Sequence, residues 1–232
     1  MGSYVDLLRR EKDFRRTYLA QLIALGGDWF ALIPLLILLP ELTGSGRWGA
    51  MLLATDTLVF ALVAPYAGTV VDRTDRRRVI VVSNTVAGLA ALLLVFVRSE
   101  ATAWIAFLAI GIVASAKSFT QPAATAALPN LVDPEDLATA TVLNGASWGT
   151  MLAVGAALGG LVAGTLGVTA CFLIDAFLLL TAAALTASTT RPFTDPAAHG
   201  SGFERTRAFT DGYADGPGPC YPAAAREWIV RR

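Results

Sequence analysis

Four ionisable residues lie inside otherwise apolar stretches of the sequence: Asp28, Asp56, Lys117 and Asp175. A charged side chain at the centre of a bilayer costs at least about 2.5–3.5 kcal/mol on insertion scales. Such residues therefore face a bundle interior or a water-filled cavity, where a carboxylate can bind a substrate or exchange a proton. Their chemistry predicts a function inside a membrane that is coupled to protons or cations.

Asp28 is the strongest candidate for this chemistry. It lies about 11 residues into the first apolar stretch, which at 1.5 Å per residue places it near the midplane. Gln21 precedes it by two helical turns on the same face. Two interpretations remain open: a carboxylate that couples to protons, cations or substrate, and a carboxylate that is hydrogen-bonded to a neighbouring helix for packing.

The other three residues have weaker positional signals. Asp56 and Asp175 lie at comparable depth in the second and sixth apolar stretches. Two carboxylates that share a low-dielectric site suit proton exchange, because both cannot easily be charged together. Nothing in the sequence shows that they face each other. Lys117 lies close to the predicted inner end of its stretch and either extends its stem to the surface or forms a salt bridge with one of the carboxylates.

Six apolar windows are long enough to carry these residues across a membrane. A spanning helix needs about 20 mostly apolar residues, and in lipid only helices and closed barrels satisfy their own backbone. The 232-residue chain is 55% hydrophobic and 16% charged. We therefore predict an all-α membrane protein with six transmembrane helices. The windows are 17–40, 47–71, 79–97, 102–121, 138–164 and 168–189.

The distribution of basic residues predicts the orientation. With a cytoplasmic N-terminus, the leader 1–16 and the turn 72–78 hold nine Lys and Arg, whereas the outer turns hold only Arg47 and Arg98. This bias follows the positive-inside rule and predicts a multi-pass protein of the cell (inner) membrane. The charged residues of the inner loop 122–137 are all acidic. The leader is either an amphipathic surface helix or a solvated lead-in.

The sequence changes character after residue 189. Residues 190–232 are rich in charged residues, Pro and Gly and contain no apolar run of spanning length. This composition predicts a disordered or loosely packed cytoplasmic tail. The domain organisation is therefore a leader (1–16), a six-helix domain (17–189) and a polar tail.

Several classes of function are disfavoured by composition. The sole histidine, His199, lies in the tail, so neither a Ser/His/Asp constellation nor a Cys/His metal site is expected. No Walker-type glycine loop is present. Basic clusters flank apolar spans instead of forming a face with stacking aromatic residues, which disfavours nucleic acid as a partner. We predict no enzyme activity, no cofactor and no bound metal.

Small residues in the fifth window predict close helix packing. Glycines spaced four apart let two helix backbones approach. The glycines predicted to pack in this way are Gly155, Gly159, Gly160 and Gly164.

Residues 68–78 (GTVVDRTDRRR) form the most specific motif. They resemble the signature loop between the second and third helices of the major facilitator superfamily, and the matching positions are Gly68, Asp72, Arg73, Arg77 and Arg78. Asp75 stands where the family usually has glycine. The resemblance implies a cytoplasmic loop whose aspartate and arginines act as a conformational latch, locking the second helix to its neighbours in the outward-facing state.

Two further segments are similar to exporters of this superfamily. Residues 155–160 (GAALGG) resemble the fifth-helix motif of drug–proton antiporters, with Ala156 in place of proline. Residues 121–135 are similar to the loop between helices 4 and 5 of exporters of the enterobactin and macrolide type. The resemblance covers about residues 14–190 and implies the N-terminal six-helix half of such a transporter, built from three plus three helices.

The resemblance implies a secondary active transporter that exports a drug-like or siderophore-like small molecule in exchange for protons. Its partners would be the lipid bilayer, the substrate and protons. Because the resemblance ends after one half, the chain is expected to be truncated, to pair with a second half or to form a homodimer, and we favour truncation. The alternative is a non-transporting membrane protein or a regulatory or assembly partner.

Overall fold

The computed structural model describes residues 4–193, and this part of the chain contains seven α-helices and no strand. The helices are α1 (Tyr4–Arg10), α2 (Lys12–Thr43), α3 (Arg47–Arg73), α4 (Arg76–Ala91), α5 (Trp104–Leu131), α6 (Leu137–Leu166) and α7 (Val168–Ala187). Six of them are long and apolar enough to cross a membrane. The predicted all-α architecture with six spanning helices is thus confirmed.

The fourth span is longer than the window that predicted it. Residues 122–137 were expected to form a loop, but α5 continues to Leu131 with Pro122 and Pro129 inside it. Ala123, Ala127 and Leu131 are buried, so tertiary packing holds the helix together despite the two prolines. Only a short connection, which includes a 3₁₀ turn at Pro134–Asp136, separates α5 from α6.

Two other predicted boundaries shift. The first span begins at Lys12, so the leader contributes its last residues to α2. The separate helix α1 packs on the bundle through the buried Leu7. The third span begins at Arg76, where the Asp75 carboxylate caps α4 by accepting a hydrogen bond from the Arg77 amide at 2.9 Å. It ends in a 3₁₀ turn at Leu92–Phe96.

Tight turns connect the helices at the end of the bundle opposite the arginines of residues 73–78. Gly44 ends α2 in the left-handed region with φ 68°, and its amide donates to the Pro40 carbonyl. Gly167 joins α6 to α7 with φ 85°. Glycine populates positive φ without a Cβ penalty, so both positions allow an immediate antiparallel return.

The six spans form two three-helix repeats with a common packing order. The first helix of the first repeat, α2, packs against α6 and α7. The first helix of the second repeat, α5, packs against α3 and α4. Each first helix thus packs against the second and third helices of the other repeat, and α4 packs against α7. This arrangement accounts for the predicted three-plus-three construction.

The core has bulky side chains at both ends and alanines in the middle. Phe14 and Phe193 are buried at the end that carries the arginines of residues 73–78, which we call the arginine-rich end. Leu39 and Phe172 are buried toward the opposite end. The cluster between them consists mostly of alanines from α2, α4, α5 and α7. Small side chains let the helices approach closely at the level where Asp28 and Lys117 lie.

The first residues of the predicted polar tail are packed against the bundle. Phe193 is 1% exposed, and the backbone amides of Thr190 and Arg191 donate to the Asp13 carboxylate. The prediction of a loose tail is therefore wrong for residues 190–193, because their backbone has partners on α2. Residues 194–232 lie outside the described part of the chain.

Candidate functional site

Asp28, on the first helix of the first repeat (α2), forms an ion pair with Lys117, on the first helix of the second repeat (α5). The Lys117 ammonium lies 3.2 Å from Asp28 Oδ2, and the two side chains are 31% and 13% exposed. The pair joins α2 to α5, which otherwise share few contacts. It therefore lies where the two repeats meet.

The length of α5 explains why Lys117 does not extend its stem to the surface. Because the helix runs to Leu131, Lys117 lies 14 residues, or about 21 Å, from the arginine-rich end of the helix. That distance exceeds the reach of a lysine stem. Of the two alternatives, the structure therefore shows the salt bridge to a carboxylate.

Asp175 lies beside this pair without a partner of its own. The residue is 4% exposed, and its Oδ1 atom has no hydrogen-bond partner in the described part of the chain. The carboxyl packs against Gly27, where a Cβ atom would come within 2.6 Å of Oδ1. Gly27 thus provides the space that the Asp175 carboxyl occupies, one residue away from Asp28.

Asp56 completes the set from α3. Its side chain is partly buried, and it interacts electrostatically with both Asp28 and Lys117. Four helices thus bring all four intramembrane ionisable residues into one region, which we call the charge cluster: Asp28, Asp56, Lys117 and Asp175. The sequence identified the members but did not show that they meet.

A cavity of about 320 Å³, lined by both polar and apolar side chains, adjoins the ion pair. Asp28 and Lys117 both line it, and Gln21 lines it two turns before Asp28, as the helical spacing predicts. Further polar side chains line the wall. The side-chain amide oxygen of Asn144 (Oδ1) is buried without a hydrogen-bond partner among the described residues. These further residues are Thr17, Asn84, Thr120, Gln121, Thr125, Asn144 and Thr186.

The cavity has the chemistry of a binding site for a small polar or charged molecule. Its carboxylate and ammonium groups offer opposite charges, and its amides both donate and accept hydrogen bonds. Trp148 adds an aromatic surface and meets Trp29 edge to face, with ring centroids 6.3 Å apart. Polar groups converging in an otherwise apolar bundle are typical of a ligand site.

Two of the four predicted packing glycines make backbone contacts. A Cβ atom at Gly155 would lie 2.4 Å from the Gly26 carbonyl oxygen, and one at Gly159 would lie 2.3 Å from that of Phe30. The helix α6 therefore rests directly on the backbone of α2 near Asp28. Gly160 and Gly164 have no described neighbour within 4 Å of their Cβ positions, so their packing role stays a prediction.

The arginine motif divides into two groups. The Arg76 guanidinium donates to the Ala126 carbonyl at 2.9 Å, and that of Arg77 donates to the Ala187 carbonyl at the end of α7. Asp72 and Arg73 are exposed, and their side chains make no hydrogen bond or ion pair with other residues of 4–193. Gly68 likewise has nothing within 4 Å of its Cβ position. One group therefore stabilises the bundle, and the other faces outward.

Sequence reasoning missed a polar junction at the arginine-rich end. Asp13 Oδ2 accepts hydrogen bonds from the Thr190 hydroxyl at 2.7 Å and the Arg191 amide at 2.8 Å. Arg16 donates to the Ser188 carbonyl at 2.8 Å, and Arg191 pairs with Glu11 at 2.9 Å. Only the charge density of the leader hinted at it, since the partners lie more than 170 residues away.

Comparison with known proteins identifies a family. A family model described as Major Facilitator Superfamily matches residues 17–223. No curated protein is found that matches the chain.

Proposed function

The chain belongs to the major facilitator superfamily, and we propose that it is a proton-coupled transporter that exports a small molecule. The observation that carries this proposal is the Asp28–Lys117 ion pair in the wall of a cavity that several other polar side chains also line. Members of the superfamily are transporters of many kinds, so the family alone leaves the coupling open. A proton or a substrate can displace the Lys117 ammonium from the Asp28 carboxylate and so break the ion pair.

Coupling follows from competition for one carboxylate. When Asp28 is ionised, it neutralises Lys117, and both charges are satisfied. When Asp28 takes up a proton, the attraction is lost and Lys117 is left to pair elsewhere. Since a charge is costly in a low-dielectric interior, the two states favour different helix positions. Gln21, Asp56 and Asp175 surround this exchange as further contacts for substrate or protons.

The glycine contacts permit the required motion. The helix α6 approaches the backbone of α2 through Gly155 and Gly159, which carry no side chains of their own. Glycines at the contact let the two helices move along each other with little repacking. Transport then proceeds by rocking of helical bundles around a midplane site.

We propose that the arginine-rich end lies in the cytoplasm. This end holds the basic leader and the arginines of residues 73–78, in agreement with the positive-inside rule. The chain would then be a multi-pass protein of the cell membrane, with its N-terminus inside.

We propose that the outward-facing group of the motif is the latch itself. Gly68 and Asp72 line a groove of about 590 Å³ between α3 and α5. Because the residues of 4–193 leave these groups and Arg73 unpartnered, they are available to a second six-helix half. Arg76 and Arg77 serve the bundle instead.

Transport assays in proteoliposomes test the proposal. The charge cluster holds three carboxylates and one lysine, so a panel of lipophilic cations such as ethidium is the first choice of substrate. Wild type should move the cation and release protons, as read by an internal pH-sensitive dye. Asp28→Asn should abolish proton movement, while Asp72→Asn should keep substrate binding. Proton traces that are identical for wild type and Asp28→Asn would contradict coupling through Asp28.

Cysteine labelling distinguishes a transporter from a non-transporting membrane protein. Single cysteines at Thr125 and Asn144 face the cavity, and both should react with an impermeant thiol reagent from one side or the other as substrate and pH are varied. A cavity that stays accessible from one side under all conditions would favour the non-transporting alternative.

A further inference from the structure

We propose that Asp175 is a second proton carrier, distinct from the Asp28–Lys117 pair, which holds a proton while α7 packs against Gly27 and releases it when this contact opens. The proposal presupposes the proton-coupled function proposed above and adds a separate site for the proton. It assigns different roles to two carboxylates that are alike in sequence context.

The surroundings of Asp175 favour a neutral carboxyl. Its side chain is at the contact between α7 and α2, the residue is 4% exposed, and Oδ1 has no hydrogen-bond partner among the described residues. An ionised carboxylate without a partner is far more costly in such a place than a neutral one. A proton on the carboxyl removes the charge without a rearrangement of the helices.

Among the described residues, the cation that acts on Asp175 is already engaged in an ion pair. The charged groups that act on Asp175 are Asp28 from α2 and Lys117 from α5, and Lys117 lies 3.2 Å from Asp28. The other elements packed on α7 are α4, α6 and the 3₁₀ turn Leu92–Phe96. Neither α6 nor this turn has an ionisable residue, and those of α4 lie at its arginine-rich start. One ammonium cannot neutralise two carboxylates.

Gly27 makes the protonation state sensitive to helix position. Because a Cβ atom there would lie 2.6 Å from Oδ1, the carboxyl rests on bare backbone and a small separation of α2 and α7 admits water. The O–H bond of Asp175 then breaks, and the proton passes to cavity water or to the Asp28 carboxylate after Asp28 has left Lys117. Water from the opposite side returns a proton before the contact closes.

Infrared spectroscopy of the full chain in lipid vesicles tests the first part. At neutral pH the wild type should show the C=O stretch of a protonated carboxyl, and Asp175→Asn should lose the intensity of one carboxyl group. Asp72→Asn, which removes an exposed carboxylate, should leave this band unchanged. An Asp175→Asn spectrum with an undiminished band would overturn the proposal.

A pair of glycine variants tests the second part. Gly27→Ala pushes a methyl group against the carboxyl and should shift or remove the Asp175 band. Gly26→Ala places its methyl 3.5 Å from the Met151 sulfur, an ordinary contact, and should leave the band in place. Equal spectra for the two variants would refute the link to helix contact. Because the band is read without substrate, failure of transport in the wild type would count against the proposed function alone.

Discussion

The two three-helix repeats share a packing order but differ in how their second helices are held. The helix α6 lies on the backbone of α2, where Gly155 and Gly159 leave no room for a methyl group. The helix α3 lies on α5 through side chains, for example the Ser118 hydroxyl that donates to the Phe60 carbonyl at 3.3 Å. The spacing between helices is therefore fixed more tightly on one side of the bundle than on the other.

The same asymmetry extends to the third helices. In the second repeat α6 and α7 pack together, whereas in the first repeat α3 and α4 barely touch. They leave an apolar groove of about 980 Å³ between them, lined by Val59, Val82 and Phe107 among others. The comparison shows that an approximately symmetric helix order need not give symmetric mechanics. The charge cluster lies beside the tighter contacts.

The largest expected effect is at the pair that joins the repeats. Lys117→Met should destabilise the protein by about 3 kcal/mol, because it leaves Asp28 buried without its cation. The double variant with Asp28→Asn should recover most of that loss, since the uncompensated charge is removed. Unfolding in mixed detergent micelles measures both. If the losses of the two single variants simply add, the ion pair does not connect the repeats energetically.

The glycine contact should be the next most sensitive point. Gly159→Ala forces a methyl group against the Phe30 carbonyl and should cost about 1–3 kcal/mol through overpacking. Gly160→Ala, its neighbour with open space around it, should change stability by less than about 0.5 kcal/mol. The midpoint of thermal unfolding in detergent compares the two. Equal midpoints would mean that α6 is held no more tightly than α3.

A smaller effect is expected where the start of the first repeat meets the end of the second. Asp13→Ala removes the acceptor of three hydrogen bonds from Thr190 and Arg191 and should cost about 1–2 kcal/mol. Limited proteolysis near residue 190 should accelerate accordingly. Asp72→Ala, which removes an exposed carboxylate without a described partner, serves as the control and should leave the cleavage rate unchanged.

The smallest effect on stability is expected on the loosely held helix. A Cβ atom at Gly68 would meet nothing within 4 Å, so Gly68→Ala should change the free energy of unfolding by less than about 0.5 kcal/mol. A loss of transport with unchanged stability would place the role of Gly68 in a contact beyond residues 4–193. Clear destabilisation would instead show that α3 is packed as tightly at this point as α6.

Sequence patterns predicted the six spans well because each is a long apolar run. They failed at α5, where residues 122–137 were predicted to form a loop, whereas the helix continues to Leu131 with Ala123, Ala127 and Leu131 buried. Burial of this kind depends on contacts between helices far apart in sequence. Periodicity within one helix does not report it.

The candidate site divides in the same way. The cost of burying charge identified Asp28, Asp56, Lys117 and Asp175 as unusual, and helical spacing placed Gln21 on the face of Asp28. A salt bridge from Lys117 to one of the carboxylates was one of two open alternatives, but the choice of Asp28 could not be predicted, because it depends on how α2 and α5 cross. The choice of Gly155 and Gly159 over Gly160 and Gly164 likewise depends on which face of α6 meets α2.

The junction between Asp13 and residues 190–191 has a consequence for biogenesis. Its partners are 177 residues apart, and a ribosome that adds about 5–20 residues per second needs roughly 10–35 seconds to produce the second after the first. The junction cannot form before residue 190 has been made, so it closes only after all six spanning helices have been synthesised.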